Sequence, residues 1–231
     1  MKRRMIMFAV TFLMFGCGPE NPPVVVASQP DVGNKTVYFD AFNNIKPEWQ
    51  QTAGVWEVVD GWLVQRTDDP RQLNAIKYIL SPRVADATIE TDVRVRPYRP
   101  DQWTDSPEDR ELARNIRYII GAGIIFRMKD AGNYYMFRLA GEEGAVLGKM
   151  VDGEWTDIQN PRVRGMLRGD RIGFRPDNVY RLKVECYGSS IKCYINDEPV
   201  CTGNDSQFDL GQVGLVTFKT AAEFDFIKVT R

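Results

Sequence analysis

From Thr36 onward, apolar residues recur at every second position in short runs that stop at turn-forming residues, the signature of half-buried strands. The clearest run is Ala87–Arg96. There Ile89, Val93 and Val95 are apolar while Glu90, Asp92, Arg94 and Arg96 are charged, which puts one face in a core and the other in water. Val55–Val59 and Trp62–Gln65 flank Asp60-Gly61, a dipeptide suited to the positive φ angles of a tight hairpin. The same reading predicts strands at Val37–Phe42, Ala75–Leu80, Ile119–Arg127, Tyr134–Leu139, Ala145–Met150, Val179–Tyr187, Ser190–Asn196, Pro199–Cys201, Gln212–Phe218 and Glu223–Val229, with Trp155 following the Asp152-Gly153 turn. So many strands with no crossover helix predict an all-β fold, an antiparallel β-sandwich. One segment interrupts the pattern: in Pro97–Tyr118, Ser106-Pro107 followed by acids predicts one short surface helix over Ser106–Asn115. Trp103 on this long insertion is a candidate lid residue.

The first residues follow a different logic. Met1-Lys-Arg-Arg4 is basic and Met5–Phe15 is apolar, a run too short for a membrane span and suited to a signal peptide. It ends in Leu13-Met-Phe-Gly-Cys17, which resembles the bacterial lipobox, whose cysteine is acylated and becomes residue one. The expected organisation is a lipoprotein signal peptide at 1–16, a proline-rich tether at 17–35 and a globular domain at 36–231. Acyl chains on Cys17, each contributing about 0.8 kcal/mol per buried methylene, would anchor the domain on the extracytoplasmic side of a bacterial envelope.

Composition narrows the chemistry. The 231 residues contain no histidine, which excludes His-based catalytic triads and imidazole zinc sites. Thirty basic residues oppose 31 acidic ones, and loss of Lys2, Arg3 and Arg4 with the leader makes the mature chain more acidic; a nucleic-acid partner is not expected. Beyond Cys17 the cysteines are Cys186, Cys193 and Cys201. A Cys186–Cys193 disulfide across the Gly188-Ser189 turn is the expected pairing, the alternative being small buried residues.

The order of motifs carries a family resemblance. Phe39-Asp-x-Phe42, Gly54-x-Trp-x-Val58, Gly121-x-Gly-Ile-Ile-Phe-Arg127, Asn133-Tyr-Tyr-x-Phe-Arg138, Val184-x-x-x-Gly-x-x-Ile-Lys-x-Tyr-Ile-Asn196, Gly211-x-Val-Gly-Leu215 and Phe224-Asp-x-Ile-x-Val229 follow one another. Over residues 37–230 this series resembles the concanavalin A-like lectin/glucanase jelly roll, of laminin G-like and 3-keto-disaccharide hydrolase-domain type. The resemblance implies two curved antiparallel sheets and a saccharide or cell-surface polymer as partner.

Candidate chemistry follows from side-chain type. Arg127, Tyr135 and Arg138 lie on one predicted hairpin, where guanidinium forks beside aromatic rings suit sugar recognition; Lys149, Trp155 and Trp103 extend this carbohydrate-binding set. Glu90 and Asp92 are an acid pair about 6–7 Å apart along a strand, a spacing compatible with inverting glycosidases. Family 16 glycoside hydrolases resemble a Glu-x-Asp-x-Glu strand, and Arg94 stands here at the third position, so an ion-paired sheet face is the competing reading. Asp40 and Asp225 are candidate ligands for a structural calcium, and no other cofactor is expected. The expected function is a lipid-anchored, non-catalytic, lectin-like domain. A hydrolase of the 3-keto-disaccharide type, with catalytic residues unassigned, and a structural protein-interaction domain are the alternatives. Cys17→Ser is expected to move the protein from the membrane to the soluble fraction; a protein that stays membrane-bound would place the anchor elsewhere.

Overall fold

A computed structural model describes residues 35–67, 74–96, 120–141, 144–159 and 177–231. These contain sixteen strands in chain order: β1 (Thr36–Asp40), β2 (Trp49–Gln51), β3 (Trp56–Val59), β4 (Trp62–Gln65), β5 (Asn74–Ile79), β6 (Ala87–Val95), β7 (Gly121–Asp130), β8 (Asn133–Ala140), β9 (Gly144–Val151), β10 (Glu154–Asp157), β11 (Val179–Tyr187), β12 (Ser190–Ile195), β13 (Glu198–Asn204), β14 (Gln212–Phe218), β15 (Ala222–Phe224) and β16 (Ile227–Thr230). No α-helix occurs among the described residues. The helix expected at Ser106–Asn115, Trp103, Cys17 and the leader lie outside them.

Every strand pairing is antiparallel, in two sheets. The seven-stranded sheet runs β10-β9-β8-β7-β14-β5-β2. The nine-stranded sheet runs β13-β12-β11-β6-β15-β4-β3, with β16 also on β6 and β1 on β16. Their inner faces share one core, in which Ile89, Val93 and Val95 of β6 meet the layer holding Ile124, Phe126, Phe137, Leu139 and Leu215. Each such side chain contributes about 1.5–3 kcal/mol on burial. The alternation read in β6 is the observed burial pattern, residue by residue. In β7, by contrast, Gly121–Met128 are all buried, which explains an unbroken apolar run.

One predicted strand differs from those observed, and one observed strand, β2, was not predicted. The last predicted strand is split: β15 pairs with Val93–Val95 of β6 and β16 with Thr88–Glu90 of the same strand. Between them Asp225 and Phe226 leave the ladder. The Phe226 carbonyl accepts from the Thr91 hydroxyl and the Asp225 amide donates to the Asp92 carbonyl at 3.0 Å, so a polar tie replaces the missing rungs. The short edge strand β2 had no alternation to reveal it.

One end of the sandwich is closed by Arg127. A bulge in β7 gives this residue a φ of 48°, and its side chain is 1% exposed. Nε donates to the Ala85 carbonyl at 2.9 Å, and Nη1 donates to the carbonyls of Gly188 at 2.8 Å and Phe208 at 3.1 Å. Nη2 faces Asp86 Oδ1 at 3.4 Å, an oxygen that also accepts from the Gly188 amide. The seven-stranded sheet is thereby tied to the start of β6, to the β11–β12 turn and to the segment entering β14. That segment passes so close that a Cβ on Gly211 would lie 2.3 Å from the Arg127 backbone. Arg127→Met leaves buried carbonyls without donors and is expected to lower the unfolding free energy by about 3 kcal/mol. Urea denaturation measures it, and an unchanged midpoint would remove the clamp from the account.

Candidate functional site

The predicted carbohydrate-binding set is divided by the sheet that carries it. Successive residues of a strand face opposite sides, so Tyr135 and Lys149, cross-strand partners on β8 and β9, point between the sheets, whereas Arg138 and Trp155 are on the outer side. Tyr135 is fully buried. Its ring stacks on Phe126 at 5.3 Å and meets Phe208 edge-on at 5.2 Å. Its hydroxyl donates to Asp205 Oδ1 at 2.6 Å and accepts from the Phe208 amide at 3.0 Å. Lys149 Nζ holds the other oxygen of Asp205 at 2.6 Å. With Arg127 on the Phe208 carbonyl, three members of the set converge on the segment 205–208. They do so as internal ties, not as a surface.

Asp205 is the group missed in the sequence, where an acid among turn residues carries no distinguishing pattern. Burial alone would raise its pKa, but hydrogen bonds from Lys149, Tyr135 and the Gln207 amide outweigh it and hold the carboxyl below its ordinary value. Burial and the Asp205 bond push the Tyr135 phenol up. Lys77 was also missed. Its amine, on a nearly fully buried residue, donates to Gln51 Oε1 at 3.3 Å, and desolvation lowers its pKa.

The outer side of the seven-stranded sheet is apolar. Ile76, Ile125, Met128, Tyr134, Met136 and Val216 pack there as a second buried cluster, flanked by Tyr78 and Met150. Asn74 Nδ2 donates to the Tyr134 hydroxyl at 3.1 Å, although β14 and β7 lie between their strands. Such a reach requires this face to bow inward. Burial raises the Tyr134 pKa to about 12. The Arg138 guanidinium lies 4.6 Å from the Phe218 ring centroid and donates to the Leu139 carbonyl at 3.3 Å. At the β10 edge Trp155 leans over Gly148, where a Cβ would fall 2.3 Å from the indole. Its Nε1 donates to Asp157 Oδ1 at 2.7 Å, and the residue is 36% exposed.

The acid pair is elsewhere. Glu90 and Asp92 are on the outer side of the nine-stranded sheet, where Lys228 sits 3.3 Å from Glu90 and Arg181 binds Asp92 through two nitrogens at 2.8 and 3.0 Å. The same face carries Arg94 and Arg96 on Glu223, and Arg94 over the Trp62 ring at 4.8 Å. It is an ion-paired surface. Asp40 is buried near the β1–β16 pair. Its oxygens accept from the Phe42 amide at 3.0 Å and the Trp49 indole at 2.8 Å, and Lys46 lies at 3.2 Å. Of these partners only Lys46 is a cation. Asp225 is in the break between β15 and β16, and no group of three or more metal-ligating side chains occurs among the described residues. Cys186, Cys193 and Cys201 are free, buried thiols.

No protein-family model matches the chain, nor does any curated protein. Solved structures do. The carbohydrate-binding module CBM66 from Bacillus subtilis is similar over 77% of this chain and 92% of its own, at 21% identity and a TM-score of 0.57. The β-glucanase of Bacillus licheniformis is similar over 84% of this chain and 97% of its own, at 10% identity and a TM-score of 0.52. A Bacillus subtilis protein with a galectin-like fold covers 85% and 97%, at 13% identity and a TM-score of 0.52. The fold is the concanavalin A-like jelly roll. At these identities the likeness establishes the architecture and leaves activity to the side chains.

In this jelly roll Asp205 contributes to the pH dependence of stability. The folded state binds its proton more weakly than the unfolded chain, so its stabilisation is complete above the ordinary carboxylate pKa of about 3.9 and is lost as pH falls below that value. Asp205→Asn is expected to flatten the loss of stability between about pH 4 and pH 2. Thermal melts across that range measure it, and a variant as acid-sensitive as the parent would assign the effect to other groups.

Proposed function

We propose that the chain is a lipid-anchored, extracytoplasmic carbohydrate-binding domain of a bacterial envelope, which holds a saccharide without cleaving it. The observation that carries this reading is the distribution of carboxylates. The interior positions of β5, β14, β7, β8 and β9 contain none, and on β10 the one acid on this side, Asp157, is held by the Trp155 indole, so the described strands of the inward-bowed face lack the two opposed acids that glycoside hydrolysis uses. The acid pair Glu90 and Asp92 is on the opposite sheet and engaged by Lys228 and Arg181.

Saccharide as the ligand is supported by the shared fold with a carbohydrate-binding module and by Trp155. Its N–H is taken by Asp157, which fixes the indole and leaves a ring face for the C–H side of a sugar. The lipid anchor rests on Cys17, placed where the apolar leader ends.

The test passes the whole protein over immobilised β-1,3-glucan, xylan and chitin, and separately incubates it with these polymers and with 3-keto-disaccharides while reducing sugar is measured. Retention on a polymer without release of sugar is expected, weakened about tenfold or more by Trp155→Ala. Released sugar would overturn the non-catalytic reading. Absence of retention on every polymer would overturn the saccharide reading.

A further inference from the structure

The three cysteines of the domain all face the core, and the strand register separates one from the other two. Cys193 on β12 stands directly opposite Cys201 on β13. On its other side Cys193 faces Val184 of β11, while Cys186 faces Ile191 of β12 and Ala87 of β6. Cys186 is therefore a diagonal neighbour of Cys193. Directly opposed residues have Cβ atoms about 4.5–5.5 Å apart and diagonal neighbours lie about 7–8 Å apart. A disulfide takes a Cβ separation of about 3.5–4.5 Å, so the opposed pair needs a small closure and the diagonal pair a large one.

Backbone alternation refines the geometry. The Thr202 amide donates to Gln159 Oε1 at 3.0 Å and so points away from β12. The preceding amide, that of Cys201, points toward β12, which makes Cys193 and Cys201 a hydrogen-bonded pair with Cα atoms about 5.5 Å apart. That Cα separation is within the disulfide range, about 5.5–6 Å, and bond formation requires the Cβ atoms of this hydrogen-bonded pair to approach by about 1 Å. Cys186 has another occupation: its thiol donates to the Ala87 carbonyl at 3.4 Å.

We propose that Cys193 and Cys201 form a cross-strand disulfide that fastens the edge strand β13 to β12, while Cys186 remains a thiol. In the reaction both S–H bonds break and one Sγ–Sγ bond forms, with release of two protons and two electrons. The acceptor is a second disulfide, of a small molecule or of a thiol–disulfide oxidoreductase, which is reduced to two thiols. The exchange runs through a mixed disulfide on Cys201, which Cys193 resolves. Cys201 is the natural entry point because β13 ends the sheet and the ladder is irregular beside Cys193. Burial pushes the Cys201 thiol up to about 12 and raises that of Cys193 as well. Thiolate is the attacking species, so the bond forms while β13 is undocked, during folding or edge opening. Once formed, it holds the edge strand of the sheet against β12.

The whole chain is unfolded, reduced, refolded in reduced and oxidised glutathione, trapped with iodoacetamide and cleaved with trypsin. Cleavage after Lys183, Lys192 and Lys219 puts Cys186 on peptide 184–192 and the other two cysteines together on peptide 193–219. The expected result is a peptide 193–219 lighter by two hydrogens and not alkylated, beside a peptide 184–192 alkylated at Cys186. Cys186→Ser should preserve the internal bond and Cys201→Ser should abolish it. A cross-link between the two peptides, or alkylation of all three cysteines, would overturn the proposal.

Discussion

A guanidinium withdrawn from water must have acceptors arranged around it, because each buried donor left without one costs about 1–3 kcal/mol. In this jelly roll that requirement falls on Arg127. Its acceptors come from three separate segments, at Ala85, Gly188 and Phe208, and none belongs to its own strand or to the neighbours of that strand. The start of β6, the β11–β12 turn and the entry to β14 must therefore reach the same end of the sandwich before the charge is satisfied. Hydrophobic burial brings the two sheets face to face without a preferred offset. The directional bonds of Arg127 select one. The positive φ at the bulge and the close passage of Gly211 are the local conditions that allow it.

The clamp extends beyond Arg127. Tyr135 and Lys149 continue it by holding Asp205 from two sides, so polar groups that would suit a sugar are used to close the end of the core. The opposite side of the same sheet carries the second buried apolar cluster, with the partly exposed Trp155 at its β10 edge. The nine-stranded sheet spends its outward positions differently. Opposite charges on neighbouring strands pair across the ladder, as Arg181 with Asp92 and Lys228 with Glu90. Exposed pairs of this kind contribute about 0–1 kcal/mol each. Their main effect is to leave these carboxylates engaged and the sheet face hydrophilic.

The cysteines illustrate how little separates two readings of one stretch of chain. Cys186 and Cys193 flank a tight turn, and proximity in sequence favours pairing them. The ladder instead gives Cys193 a direct partner on the next strand, Cys201, reached through the second turn at Asn196 and Asp197. Which pair is opposed depends on the register of two successive hairpins, and a one-residue change would move the side chains to the other face.

The sequence by itself determined the sandwich. Alternation in β6, the Asp60-Gly61 hairpin and the ordered motifs from Phe39 to Val229 were legible because strand period and turn chemistry are local properties, written within a few residues. The same local information could not show that β15 and β16 are separate, since their division depends on Thr91, a distant residue of β6. Nor could it show which side of β8 faces the core. Tyr135 and Arg138 are three residues apart and look alike as candidates, yet odd spacing sends them to opposite faces, and only the docking of the second sheet decides which face becomes the core. Tertiary structure alone made Arg127 a clamp, Asp205 its neighbouring anchor and Glu90 and Asp92 members of ion pairs, because each role is defined by groups between 41 and 138 residues away.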